Sequence, residues 1–169
     1  MNRFRDPGIA RGPVFVFITI NSCQANTMTY GPNIIIHDLS QATAALEAAQ
    51  ACNQAVTLRS TPEAAAYLNP PVFKAMIDEA AAAVPNTRFK AILDCGDQAG
   101  LVMNALRHGI QFIRADLKND IYDKLSSMAK QSDAVIIRYD QTPTLDLGTV
   151  DDASTACQKW LKETKAPLT

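Results

Sequence analysis

The segment from Lys90 to Asp116 constrains the fold more than any other part of the sequence. Its first apolar run, AILD, leads into a turn at Cys95 and Gly96, then an amphipathic stretch that ends at Gly109, then a second run, QFIRA. Glycine commonly ends a helix because it adopts the left-handed conformation readily. This order predicts a β-α-β unit with two parallel strands joined by a helix.

The same pattern repeats along the chain. Apolar runs that predict strands occur at residues 14–20, 33–37, 55–59, 91–94, 111–115 and 134–139. Strands that alternate with helices predict parallel pairing, and runs without polar alternation are typical of strands that helices cover on both faces. We therefore predict an α/β fold with a mostly parallel sheet of about six strands and helices on the faces. An open flavodoxin-like sheet and an incomplete aldolase-type barrel both fit, because a full barrel needs about 200 residues or more. Residues 142–148 are predicted to be a loop.

Length and composition favour a single globular domain. The chain has 169 residues, of which 47% are apolar and 20% are charged. A chain of this length and composition can bury a stable core without disulfides or bound metals. Residues 1–32 contain three arginines, one apolar run and a long polar stretch, and we predict an arm, a strand and a loop there. Residues 33–169 are predicted to form the α/β domain.

Charge and cysteine usage limit the partners and the compartment. A net charge of -1 does not attract the chain to nucleic acid or to an anionic membrane, so neither is predicted as a partner. No apolar segment approaches the length of a membrane span. The four cysteines lack the C-x-x-C spacing of zinc sites and fit no disulfide framework, which predicts reduced thiols in the cytoplasm. The run 14–20 before Cys23 faintly resembles an export signal, but Pro13 and Asn21 argue against one.

The predicted functional site lies at the carboxyl ends of the strands, where parallel α/β folds bind ligands. The last five predicted strands all end in ionisable or hydroxyl residues, namely His37, Asp38, Arg59, Ser60, Asp94, Asp97, Arg114, Asp116, Arg138 and Asp140. A histidine beside an aspartate suits proton transfer, and an arginine beside a helix start suits a carboxylate or phosphate.

We assign catalytic roles to His37 and Asp94 and ligand-binding roles to a second set of residues. That second set is Arg59, Ser60, Asp97 and Asp116. Asp94 and Asp97 also carry oxygen ligands suited to a hard cation. Aspartate and serine at such junctions are, however, the usual helix caps, which explains most of these positions without a ligand. We predict no metal site, and no nucleotide-binding motif specifies a cofactor, so the cofactor stays unknown.

Residues 42–114 resemble the aldolase barrels of the keto-deoxy-phosphogluconate (KDPG) type. The segment AALEAAQACNQAVTLRSTPEA is similar to that family's alanine-rich helix and its E-V-T-L-R-T-P strand, and NALRHGIQFIRAD is similar to a later helix and strand. The resemblance implies an anion-binding role for Arg59. It does not imply lysine-aldolase activity, since Ala55 stands at the catalytic glutamate's position and the later strand ends carry no lysine.

Three functions fit these patterns, and whether the protein is an enzyme stays open. The first is binding of a small anionic metabolite at the strand ends, or lyase or isomerase action on one. The second is a non-catalytic interaction module that forms a homo-oligomer or docks on a protein through the N-terminal strand, using Phe15, Phe17 and Tyr30. The third is redox or transfer chemistry at Cys95, which follows a strand near a helix start.

Overall fold

A computed structural model of the protein describes residues 31–164. The strands are β1 (Asn33–Ile35), β2 (Val56–Arg59), β3 (Phe89–Asp94), β4 (Phe112–Arg114), β5 (Val135–Ile137) and β6 (Thr144–Asp146). The helices are α1 (Leu39–Ala51), α2 (Pro70–Ala83), α3 (Ala99–Arg107), α4 (Asn119–Gln131) and α5 (Ala153–Glu163), with short 3-10 turns at Ala64–Ala66 and Leu147–Thr149. The predicted strand at 14–20, with Phe15, Phe17 and Tyr30, lies outside the described residues.

The six strands form one sheet in the order β5-β4-β3-β2-β1-β6, and every neighbouring pair is parallel. The predicted parallel α/β sheet is therefore confirmed, and of its two forms the open one is found, because β5 and β6 do not pair. The strand order rises one step at a time from β1 to β5. This differs from the 2-1-3-4-5 order of flavodoxin.

The edge strand β6 falls inside residues 142–148, where the prediction of a loop was wrong. Thr144 lies in register with Asn33, and Asp146 lies in register with Ile35. The strand is only three residues long, follows Pro143, and has Leu145 as its one large apolar side chain. Its existence depends on pairing with β1 at the far end of the chain, which a local pattern does not reveal.

Left-handed residues end the connections that lead from each helix into the next strand. Asn53, Asn86, Gly109 and Asp133 all have positive φ angles and precede β2, β3, β4 and β5. Glycine, asparagine and aspartate tolerate this conformation better than other residues do. The predicted stop at Gly109 is thus confirmed. The chain reverses direction at these residues after each helix. The next strand therefore starts at the same end of the sheet as the strand before it.

The described helices pack on one face of the sheet, whereas the apolar runs in the sequence predict helices on both faces. Right-handed crossovers between strands that advance in one direction place α1 to α4 on the same side, and α5 packs against α1. The strand residues that face the helices are fully or almost fully buried, namely Ile34, Leu58, Leu93, Ile113 and Ile136. Their neighbours along each strand point to the opposite face, which we call the concave face. It carries Thr57, Arg59, Lys90, Asp94 and Arg114.

A short connection between the two edge strands forces the sheet to curl. Residues 138–143, here the crossing segment, join the end of β5 to the start of β6. Ile137 lies level with Asp94, whereas Thr144 lies level with Lys90, so the chain must also run back along the strands. A flat sheet would require about 27 Å. The extended chain reaches about 25 Å at most, so the sheet curls and the crossing segment spans its concave face.

The buried apolar residues between sheet and helices form a single core. Its largest fully buried side chains include Phe73, Leu46 and Leu161. No helix between residues 31 and 164 combines the length and the apolar character that crossing a membrane requires. The domain bounds of 1–32 and 33–169 stay a prediction.

Candidate functional site

Asp94, the last residue of β3, is a buried carboxylate that several donors hold in place. Its Oδ1 accepts hydrogen bonds from the backbone N–H groups of Gly96 (2.9 Å) and Glu63 (3.0 Å) and from the Tyr139 hydroxyl (2.6 Å). Its Oδ2 lies 3.3 Å from Nη1 of Arg114, and only 3% of its side chain is exposed. Three donors and one cation therefore fix the position of the Asp94 carboxylate.

Two arginines extend over the concave face at the ends of β2 and β4. Arg59 is 7% exposed at its side chain and Arg114 is 17% exposed. Nη1 of Arg59 donates to the Thr144 hydroxyl at 3.2 Å, which brings β2 and β6 together across β1. The ring of Tyr139 lies 3.9 Å from the Arg114 guanidinium. This stacking contact fixes the plane of the guanidinium group. Both cationic groups are therefore held at the rim where the strands end.

Asp140 of the crossing segment lies between the two arginines. Its Oδ1 is 3.3 Å from Nη2 of Arg59 and 3.8 Å from Nη2 of Arg114, which also donates to the Asp140 backbone carbonyl at 3.2 Å. Desolvation raises the pKa of Asp140, but the Thr142 hydroxyl and the Arg59 charge outweigh it and hold that pKa below its ordinary value. The Asp140 side chain is 45% exposed, so these contacts are open to solvent.

Burial disfavours the charged forms of two cations in this cluster. Arg59, Lys90 and Arg114 are the cations, and Asp94 and Asp140 are the acids. Burial, followed by the Arg114 charge, lowers the pKa of Arg59. Burial, followed by the Arg59 charge, lowers the pKa of Lys90. A group whose charged form is disfavoured in this way is stabilised by any further anion that comes close.

A histidine–aspartate pair lies on the same rim. Nε2 of His37 is 2.7 Å from Oδ1 of Asp146, which also accepts the Gly148 backbone N–H at 2.9 Å. Burial raises the pKa of Asp146, but the hydrogen bonds from His37 and Gly148 outweigh it and lower that pKa overall. Asp38, the sequence neighbour of His37, instead caps α1 by accepting the backbone N–H of Gln41 at 2.8 Å.

The predicted site residues separate into two groups. Arg59, Asp94 and Ser60 come together, because the backbone N–H of Asp94 donates to the Ser60 hydroxyl at 2.9 Å. Asp97 and Asp116 lie at the same rim but are exposed. The backbone N–H of Asp116 donates to the Gly96 carbonyl at 2.8 Å, which positions the turn and leaves the carboxylate in solvent.

Cys95 is fully buried beneath the rim. Burial, together with the neighbouring Asp94 charge, raises the pKa of this thiol to about 12. A thiol with that pKa is almost entirely protonated at neutral pH, whereas nucleophilic and redox cysteines act as thiolates. The surroundings of Cys95 are therefore those of a packed side chain.

Two other features of the described chain bear on ligand binding. Within residues 31–164, no three histidine, cysteine, aspartate or glutamate side chains gather as they would around a metal ion. A shallow cavity of about 420 Å³ lies between the first turns of α1 and α5, lined in part by Asp38, Gln41 and Asp152. Its lining includes neither arginine, and Asp38 and Asp152 are occupied as helix caps there.

The rim contains four residues for which the sequence predicts no catalytic or ligand-binding role, namely Arg114, Tyr139, Asp140 and Asp146. Arg114 and Asp140 are visible in the sequence only as residues at strand ends, where pairing with a neighbour or helix capping explains them equally well. Tyr139 and Asp146 carry no local signal. The first reaches Asp94 across 45 residues and the second reaches His37 across 109.

No known family model and no curated protein matches the sequence.

Proposed function

We propose that the protein binds a small anionic metabolite at the carboxyl ends of its strands, with Arg59 and Arg114 as the anion-binding groups. The observation that carries this proposal is the convergence of two largely buried guanidinium groups on one exposed carboxylate, Asp140. Arginine forks suit the planar oxygens of carboxylates and the oxygens of phosphates. The anion-binding role for Arg59 that the KDPG-aldolase resemblance implies is part of this proposal.

Unused hydrogen-bonding capacity supports it. Nε of Arg114 is buried and finds no partner among the described residues. A buried donor without an acceptor is destabilising and marks a position where a ligand oxygen is favourable.

A second activity, acid–base catalysis by a lyase or isomerase, is favoured by the pairing of His37 with Asp146. The carboxylate holds one ring nitrogen and thereby orients the imidazole. Asp146, Ile35 and Arg59 are register partners on neighbouring strands, so the pair lies about 10 Å along the rim from the β2 strand end. A metabolite anchored at the arginines through one anionic group would extend toward the imidazole.

Calorimetric titration with inorganic phosphate, acetate, succinate and small sugar phosphates tests the proposal. We expect saturable binding that falls about tenfold or more in Arg114→Gln, because a charge-assisted contact contributes at least this much. Arg88→Gln is the matched control, since Arg88 is exposed at the opposite ends of the strands. Absence of binding by the wild-type protein would refute the proposal and favour the interaction module. Equal loss in both variants would show that only general charge matters.

A further inference from the structure

We propose that Asp140 is a built-in occupant of the anion site, so that the protein takes a carboxylate-bearing ligand whose own carboxylate replaces that of Asp140. This inference rests on the proposed function and deepens it by naming the ligand class. It further implies that the crossing segment is displaced when the ligand binds.

The two aspartates of the cluster are held very differently. Asp94 is 3% exposed and receives two backbone N–H groups and a hydroxyl besides Arg114. Asp140 is 45% exposed, and its contacts with the arginines are long, at 3.3 and 3.8 Å. Its short side-chain contact is with Thr142 of its own segment, at 2.7 Å, and would move with it. Asp94 is therefore a fixed part of the site, and Asp140 is the exchangeable one.

The crossing segment lies largely in solvent and is held at the rim by a small set of side-chain and backbone contacts. Arg138, Tyr139, Asp140, Gln141 and Pro143 are all exposed. At the site, the Tyr139 side chain bonds to Asp94 and stacks on Arg114, and the Asp140 carbonyl accepts from Arg114. At the start of the segment, Arg138 donates to Asn119 and stacks on the Tyr122 ring. Both strands that flank the segment belong to the sheet and the segment is nearly extended between them, so its movement is a local shift of Tyr139 and Asp140 off the two arginines that leaves the core in place.

The chemistry of Asp140 identifies the ligand. The Asp140 carboxylate contacts Nη2 of Arg59 and Nη2 of Arg114. These two nitrogens are therefore placed to bind a carboxylate group. An incoming carboxylate makes the same contacts without being constrained by the chain, and it has the unpartnered Nε of Arg114 in addition. The negative charge of Asp140 is removed as the ligand's charge enters, so the cluster's net charge is the same before and after exchange.

Removal of the internal carboxylate provides the first test. We expect Asp140→Ala to bind acetate and succinate roughly threefold more tightly than the wild-type protein, because a competitor for the arginines is gone. Asp116→Ala is the matched control: Asp116 is an exposed carboxylate on the same rim, so this variant removes one charge without freeing the arginines. Equal tightening in both variants, or none in Asp140→Ala, would overturn the inference.

Displacement itself is tested in the wild-type protein by ¹⁹F NMR with fluorotyrosine, where the Tyr139 resonance is assigned by its absence in Tyr139→Phe. Saturating succinate should shift this resonance, because the Tyr139 hydroxyl leaves Asp94 and its ring leaves Arg114. The resonance of Tyr67, whose hydroxyl pairs with Thr61, should stay unchanged. Binding without movement of the Tyr139 signal would refute displacement while the proposed function stands. No binding by either wild-type protein or Asp140→Ala would refute both.

Discussion

The hydroxyl of Tyr139 donates to Asp94 at 2.6 Å, although 45 residues separate the two in the chain. Tyr139 belongs to the crossing segment and Asp94 to the end of β3, so this bond fastens the connection between the edge strands to the middle of the sheet. The same ring stacks on Arg114, which is itself an ion partner of Asp94. The three side chains form a closed set of contacts at the rim.

The bond between Tyr139 and Asp94 predicts a loss of stability at high pH. Burial, followed by the hydrogen bond to Asp94, raises the pKa of Tyr139 above its ordinary value. Its contribution is therefore complete below the pKa of an unfolded tyrosine, about 10, and is lost as pH rises from there toward the folded pKa. Urea unfolding between about pH 8 and 11 should show a smaller decline for Tyr139→Phe than for wild type. Tyr67→Phe, at a position 71% exposed, should decline as wild type does.

Replacing Asp94 should destabilise the protein strongly. Asp94→Asn removes the negative charge that lies beside Arg114. It also replaces one acceptor oxygen by an amide N–H group, which repels whichever of the four donors it faces. We expect the free energy of unfolding to fall by about 3 kcal/mol, the scale for breaking a buried ion pair. Asp97→Asn makes the same chemical change three residues later at an exposed position and should alter it by less than about 0.5 kcal/mol. Chemical denaturation measures both, and similar small effects would contradict the central position of Asp94.

The two glycines around α3 should respond to alanine in opposite directions. Gly109 has a φ of +73°, and a Cβ added there would have nothing within 4 Å, so Gly109→Ala suffers only backbone strain, about 1 kcal/mol. Gly100 lies in the first turn of α3, also in open space and without positive φ. Gly100→Ala should therefore stabilise by roughly 0.5 kcal/mol. Thermal unfolding of the two variants checks this, and a shift of the same sign in both would contradict it.

A side chain at position 148 should disrupt the histidine–aspartate pair. A Cβ built on Gly148 would lie 2.5 Å from Nε2 of His37, which is too close for any real contact. Gly148→Ala should displace the imidazole from Asp146. The free energy of unfolding should change by less than about 1 kcal/mol, because both partners are more than one-third exposed. The chain has two histidines, so NMR can follow His37 with His108 as the internal reference. An unchanged His37 spectrum would contradict the observed packing.

The buried cysteines should resist alkylation in the folded protein. Burial raises the pKa of Cys95 to about 12 and that of Cys157 to about 11, so neither forms appreciable thiolate at neutral pH. Cys52 is only half-buried and should react first among these three. Iodoacetamide labelling followed by peptide mass spectrometry measures the rates, with urea-unfolded protein as the control. Fast labelling of Cys95 at neutral pH would restore the hypothesis of cysteine chemistry.

The sequence predicts the elements that are self-contained. The runs at β2, β3 and β4 are apolar enough to indicate strands on their own, and Gly109 marks a stop by its conformational freedom alone. β6 escapes prediction because three residues with one large apolar side chain become a strand only through β1. Asp94 and Arg59 are predictable at the rim because strand ends of a parallel sheet coincide. The place of Tyr139 is not predictable, nor is the contact of Asp140 with both arginines, since the path of the crossing segment follows from the curl of the sheet.

The pairing of β6 with β1 determines the order in which this protein can be assembled during synthesis. Until translation has passed Asp146, β1 has one open side, an edge that can attract other unpaired strands. The contacts of Arg59 with Thr144 and of His37 with Asp146 must wait for the same event. A nascent chain that already contains both arginines therefore lacks a finished rim around them, and the rim is completed together with closure of the last gap in the sheet.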